Sequence, residues 1–298
     1  MKSKMIVGAA AAAVILMSAV LLVPDKAEGM AAAYKPSAGE EAPQFIHGTA
    51  DTPDGRTVIV SIFGNDPTYS WNFESETDRE TVTNINNYMG IAADFIEKTV
   101  SDYGKSAEFI TDFQQNSDLF YNADFRESLT DGDNIDQSIW NFIDSSVDTA
   151  AIMKKYDADN LVFFCIINTD ERSDAITCTR NWYEGMERPY EIVYLYNFDS
   201  GCVNCPAVYA HEILHTFGAP DLYAQDGEFG IDNAVLDYVS AELPNEIMYT
   251  CSDISSGEYL YDRVSNEISD LTAYYIGITD SSDIAEKFGL RKSEHLSE

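Results

Sequence analysis

The chain has 298 residues, 45% of them hydrophobic and 12% aromatic, enough to bury one sizeable core. Its 51 acidic residues against 18 basic ones give a formal charge of −33. Such a charge repels phosphate backbones and anionic lipid, so it argues against nucleic acid and membrane surfaces as partners and fits a solvated acidic exterior.

Lys2 and Lys4 precede an apolar run from Met5 to Val23, which Pro24 breaks ahead of small and polar residues. Residues 1–29 therefore read as an export signal, with an uncleaved N-terminal anchor as the alternative because the run approaches a membrane-spanning length. The first cysteine is Cys165, which leaves no thiol near this segment for lipid attachment. The protein is expected to be secreted, or membrane-anchored with its folded part outside. Residues 30–52 are rich in Ala, Pro and Glu and read as a flexible lead-in or short pro-segment, leaving 53–298 as the folded domain.

Within that domain, Asp54-Gly55 marks a turn and residues 57–63 read as a buried strand. Ile85, Met89, Ala92, Phe95, Ile96 and Val100 stand at helical spacing and predict a helix over about 81–103. A second strand is expected over 108–113, and one long helix over about 137–155 through Ile139, Phe142, Ile143, Val147 and Ile152. The apolar run 161–168 reads as a third strand. Residues 191–197 alternate more and read as an edge strand, on which an extended peptide would pair or which simply closes the sheet. A helix follows over about 205–217, with Gly218 as its stop. Strands alternating with helices, followed by a helical tail, predict an α/β sandwich with a smaller second lobe.

Of the five cysteines, Cys165 lies inside an apolar run and reads as a buried free thiol. In an exported protein Cys178, Cys202, Cys205 and Cys251 are expected to form two disulfides, whose pairing the sequence leaves open. Cys202 and Cys205 resemble half of a structural zinc site, but the other half is missing.

The chemistry-bearing stretch is His211-Glu212-Ile213-Leu214-His215-Thr216-Phe217-Gly218-Ala219-Pro220-Asp221. Residues i and i+4 of a helix lie on one face, so His211 and His215 can grip a single metal ion while Glu212 stands beside them as a general base. A hydrolytic zinc takes three protein ligands and keeps a fourth position open. The helix cannot offer the third from the same face. Gly218 lets the chain turn back without steric cost and brings Asp221 within reach. Zn2+, held by His211, His215 and Asp221, is the expected cofactor. A second cation, Ca2+, is suggested by the oxygens of Asp131, Asp133, Asn134 and Asp136, although this loop lacks the full twelve-residue spacing and a solvated turn is the simpler reading.

This motif resembles that of the metzincin clan of zinc endopeptidases, and within it the secreted snapalysin-like type, in which aspartate replaces the third histidine. The resemblance rests on residues 211–221 and on Met248, which stands where the clan has a methionine-containing turn. It implies a two-lobed catalytic domain with a mostly parallel twisted sheet and a smaller helical C-terminal lobe. It also implies a monomeric enzyme that hydrolyses protein or peptide substrates, with Glu212 as the catalytic base. Tyr249 follows the methionine directly instead of lying two residues beyond it, which leaves its role open.

Two other readings are expressed by the same residues. A third ligand from a downstream helix, as in thermolysin-like enzymes, would be Glu267, but Gly218 and Asp221 would then have no shared explanation. A secreted binding module stabilised by structural zinc would have no use for Glu212 next to an open coordination position. His47 and His295 lie in terminal segments and read as surface residues.

Overall fold

A computed structural model describes residues 52–170, 190–199, 201–227 and 229–290 of the chain. The expected signal, nearly all of the 30–52 lead-in, Cys178, His47 and His295 lie outside the described residues. Among those described, no helix is long and apolar enough to cross a membrane.

Strand β1, Gly55–Asn65, is the spine of the main sheet, and its interior residues Val58–Ile62 are fully buried. A run rich in Val and Ile, buried on both faces, suits a parallel strand covered by helices. Along one edge β1 pairs with β4, Asn160–Ile167, from Thr57↔Asn160 to Gly64↔Ile167. Its other edge is shared. β2, Ala107–Ile110, takes Gly55–Val58, and β3, Phe120–Asp124, takes Ser61–Asn65. β5, Glu191–Tyr196, adds to β4, and all these pairings are parallel. A two-stranded antiparallel ribbon, β6 (Phe198–Asp199) and β7 (Cys202–Val203), follows directly. The expected α/β class with a mostly parallel sheet is what the chain adopts.

Parallel neighbours need crossovers, and helices supply them. α1, Glu76–Asp102, leads from β1 to β2 and buries Val82, Ile85, Met89, Ala92, Ala93, Ile96 and Val100 along one stripe. The single helix expected over 137–155 is instead two, α2 (Ile135–Ser146) and α3 (Thr149–Tyr156). Val147 is extended, and the Asp148 carboxylate accepts a bond from the Ala151 amide at 2.9 Å. The apolar period runs straight across this break, so periodicity conceals it. An N-cap aspartate that satisfies an otherwise unpaired helix-start amide is what restarts the helix.

The strand expected over 108–113 stops at Ile110, because Asp112 turns its carboxylate onto the amides of Gln114 and Gln115 at 3.0 Å. β5 ends the described sheet, as expected of an edge strand, yet all six of its residues are buried. Its alternation in sequence therefore does not mean one wet face.

Beyond the sheet come α4 (Pro206–Thr216), α5 (Asn233–Glu242), α6 (Asp270–Tyr275) and α7 (Asp283–Phe288). The tail is helical, as expected. Val235, Val239, Leu271, Tyr275 and Ile284 of the tail helices join the same buried cluster as the sheet.

Candidate metal centre

α4 carries the centre of the motif, and its sequence explains its start and its end. Pro206 occupies the first turn, where its missing amide costs nothing. Asn204, buried just before it, donates to the Tyr196 carbonyl at 2.5 Å and fastens the start of α4 to the end of β5. The helix packs onto α1 and places the Tyr209 ring against Phe164 of β4 at 6.4 Å. Nearly every residue of α4 is buried, so the histidines sit on a rigid support.

At the far end Gly218 has φ +89°, a left-handed conformation that side chains resist. Its amide donates to His215 O at 2.9 Å, and the Ala219 amide donates to Leu214 O at 3.2 Å. This pair of bonds is the Schellman ending, which absorbs the last free carbonyls of a helix. The reversal turns the Ala219 carbonyl onto His215, whose Nδ1 donates to it at 2.7 Å. Asp221 comes back toward the histidines, as the glycine turn leads one to expect.

His211 is held from further away. Its Nδ1 donates to the carbonyl of Ile247 at 3.0 Å. A carbonyl can only accept, so each ring carries a proton on Nδ1 and turns its Nε2 toward the centre, where a neutral ring offers a lone pair. The two Nε2 atoms face each other at 3.0 Å, and Asp221 Oδ1 stands 3.2 Å from each. Oδ1 is itself buried and accepts no hydrogen bond. Three electron-rich atoms in such a triangle repel one another unless positive charge lies among them. Zinc ligands 2.0–2.1 Å from the ion stand roughly 3.3 Å apart, so the spacing fits a tetrahedral cation site. Among the described residues His211, His215 and Asp221 form the one group of His, Cys, Asp or Glu with three ligand atoms within 4.8 Å of one another.

Electrostatics point the same way. Burial opposes a charge on His211, but the neighbouring Cys251 sulfur and Asp221 outweigh it and hold the ring's pKa well above the ordinary histidine value, so the cluster favours added positive charge, whether a proton or a cation. Burial also opposes the Asp221 charge, yet His215 and His211 pull its carboxyl far below the usual carboxylate range. The cluster thus retains a negative oxygen and attracts a positive partner.

Glu212, 5% exposed, stands beside this group and acts electrostatically on both His211 and Tyr223. Met248 is fully buried, and its carbonyl accepts the Leu222 amide at 2.9 Å, next to Asp221. Tyr249 turns away: its hydroxyl donates to Ser240 Oγ of α5 at 3.2 Å. Tyr223, which sequence reasoning passed over, stands at the site instead. Its ring stacks on that of His211 with centroids 6.3 Å apart, its hydroxyl is close enough to Asp221 to feel the carboxylate's charge, and it is 56% exposed. The available signal was its place two residues after the third ligand, on the strand-like return from the glycine turn. Cys251, beside His211, was likewise missed as a neighbour of the site.

The other candidates fall apart from this centre. Glu267 is exposed, and it contributes only its backbone, to Asn245 and Ile247. The acidic loop lines a cavity of about 320 Å³ with Glu127, Asp131 and Asp133, but Asp136 instead accepts the Tyr194 hydroxyl at 2.6 Å. Its carboxylates do not converge on one point. The two disulfides expected from Cys178, Cys202, Cys205 and Cys251 are not formed among the described residues. Cys202, Cys205 and Cys251 are free thiols, and Cys205 Sγ faces the backbone carbonyl of Cys251 at 3.8 Å instead of its sulfur. Cys165 is a buried free thiol, as expected, and burial pushes it up to about 12.

Compared with known proteins, the chain matches no family profile and no curated sequence.

Proposed function

We propose that this chain is a secreted zinc-dependent endopeptidase of the metzincin kind, closest to the snapalysin-like type, acting on protein or peptide substrates as a monomer. The observation that carries the reading is the convergence of two histidine Nε2 atoms and one Asp221 oxygen, with a buried glutamate next to them. His211, His215 and Asp221 would hold the ion. When bound there, zinc supplies Lewis-acid polarisation of a carbonyl and acidifies water.

The rest is work for the chain's own side chains. Glu212 takes a proton from the attacking water and passes it to the departing amine. Tyr223, exposed on one side and stacked on His211 on the other, is the phenol placed to donate to the carbonyl oxygen as negative charge grows there. Tyr249 is committed to Ser240 and serves the packing of α5. A module with purely structural zinc would close the coordination shell, and here Asp221 keeps a third of its side chain exposed while Tyr223 lies open. The charge of −33 supports an extracellular, non-nucleic-acid role.

The test is digestion of casein or gelatin by the purified protein, with and without a chelator, beside Glu212→Gln. Cleavage that the chelator abolishes and zinc restores, together with a Glu212→Gln variant that keeps zinc but loses turnover on the order of 10²–10⁴-fold, is the expected result. Zinc binding without any cleavage would leave a structural module.

A further inference from the structure

Glu246 touches no metal ligand, yet its carboxylate is the anchor of the segment that holds them. The residue is 2% exposed. Its Oε1 accepts the Met248 amide at 3.2 Å and the Thr272 hydroxyl at 2.9 Å, and its Oε2 accepts the Ser269 amide at 2.7 Å. One side chain thus joins the turn 246–248 to the start of α6. Burial pushes the Glu246 carboxyl up more than its bonds from Ser269, Met248 and Thr272 bring it down. Burying a carboxyl there carries a desolvation cost that an apolar side chain of similar size would avoid.

The two residues that follow show what that cost maintains. The Ile247 carbonyl orients His211 at 3.0 Å, and the adjacent Met248 carbonyl holds the Leu222 amide at 2.9 Å, one residue from Asp221. The Ile247 carbonyl and the Met248 amide belong to one planar peptide unit, so pinning the amide fixes that carbonyl, and the turn bonds from the Tyr249 and Thr250 amides to the Glu246 carbonyl, both 3.0 Å, hold the next unit against it. We infer that Glu246 is a positioning residue for the metal ligands: by tying the Met248 amide to the start of α6, it sets the direction of the two carbonyls that aim His211 and steady the Asp221 arm, and so sets the affinity of the site for its cation. This rests on the metal centre proposed above. Partners one bond removed from a metal ligand commonly govern affinity in this way.

The experiment compares wild type, Glu246→Gln, Thr272→Val and Asp148→Ala. Zinc affinity is read by competition with a chromophoric chelator, and ligand geometry by the visible spectrum of the Co2+-substituted protein. Asp148 caps α3 far from the site in sequence and serves as the control for general destabilisation. Glu246→Gln keeps the shape but replaces one acceptor by a donor, so zinc is expected to bind roughly 10–100-fold more weakly, with a shifted Co2+ band. Thr272→Val removes one of the carboxylate's three bonds and is expected to weaken zinc by a smaller factor in the same direction. Asp148→Ala is expected to bind like wild type. Wild-type affinity in both Glu246→Gln and Thr272→Val overturns the inference, and so does an equal loss in Asp148→Ala, which would make the effect one of stability alone. If Glu246→Gln does not fold, Thr272→Val decides. A wild-type protein that binds no zinc sinks the metal centre itself, a result distinct from either.

Discussion

His215 and Ala219 are four residues apart, and the imidazole Nδ1 of the first donates to the carbonyl of the second at 2.7 Å. The glycine turn that ends the helix thereby also aims His215, one of the three groups that could hold an ion. The ending of α4 and the direction of that ring are one local structure, so damage to the turn should be felt in any metal binding.

Gly218→Ala tests that coupling. At φ +89° an added Cβ is expected to cost about 1–2 kcal/mol in urea unfolding. Zinc affinity, measured by chelator competition, is expected to fall as well, because the strain displaces both Ala219 and the Asp221 arm. A variant that lost stability while keeping full zinc affinity would show that the ligands are aimed by something else.

Zinc should stabilise the protein through Asp221. At a free zinc concentration a hundred times Kd, binding adds about 2.7 kcal/mol, or roughly 5–10 °C in Tm for a domain of this size. A chelator should reverse the shift. In Asp221→Ala the shift should nearly vanish, whereas exposed Glu258→Ala should keep it. Equal shifts in the two variants would place the third ligand elsewhere.

The two tyrosines should separate cleanly. Tyr223→Phe is expected to lower kcat on the order of 10²-fold with little change in zinc content, as loss of one donor to a developing oxyanion does. Tyr249→Phe loses a hydrogen bond to Ser240 and should leave kcat near wild type. Steady-state kinetics with metal analysis of both variants reads this directly, and the reverse ranking would return the role to the residue after Met248.

Asp148→Ala should cost about 1 kcal/mol in urea unfolding, the usual worth of an N-cap, with peptidase activity unchanged. A loss much smaller than this would mean that the break between α2 and α3 is held by the packing of Val147 instead of by the cap.

Local chemistry was legible in the chain, and distant pairing was not. His211, His215, Gly218 and Asp221 are read correctly as a group because helix periodicity and a glycine turn determine their approach within eleven residues. The buried strands 57–63 and 161–168 announce themselves by continuous apolar runs. By contrast Ile247, Glu246 and Thr272 support the site from segments that no periodicity connects to α4. β3 escapes because Phe120–Asp124 is short and contains Asn and Asp, and it becomes a strand only by completing the edge of β1. Tyr249 was the natural candidate by its closeness to Met248 in sequence, and the direction of its side chain, toward Ser240, is a tertiary matter.

The arrangement of β1 has a bearing on how the protein comes undone. Two short strands divide one margin of it between them while β4 covers the other, so its amides can be released to solvent only when several partners leave together. Deuterium should enter this segment last, after the tail helices have already frayed. The histidine-bearing helix is fastened to the sheet at Tyr196 and Phe164, and so it inherits the slow side of that hierarchy. The Asp221 arm and the Ile247 carbonyl come from beyond α4, so they are expected to let go before the two histidines leave the sheet.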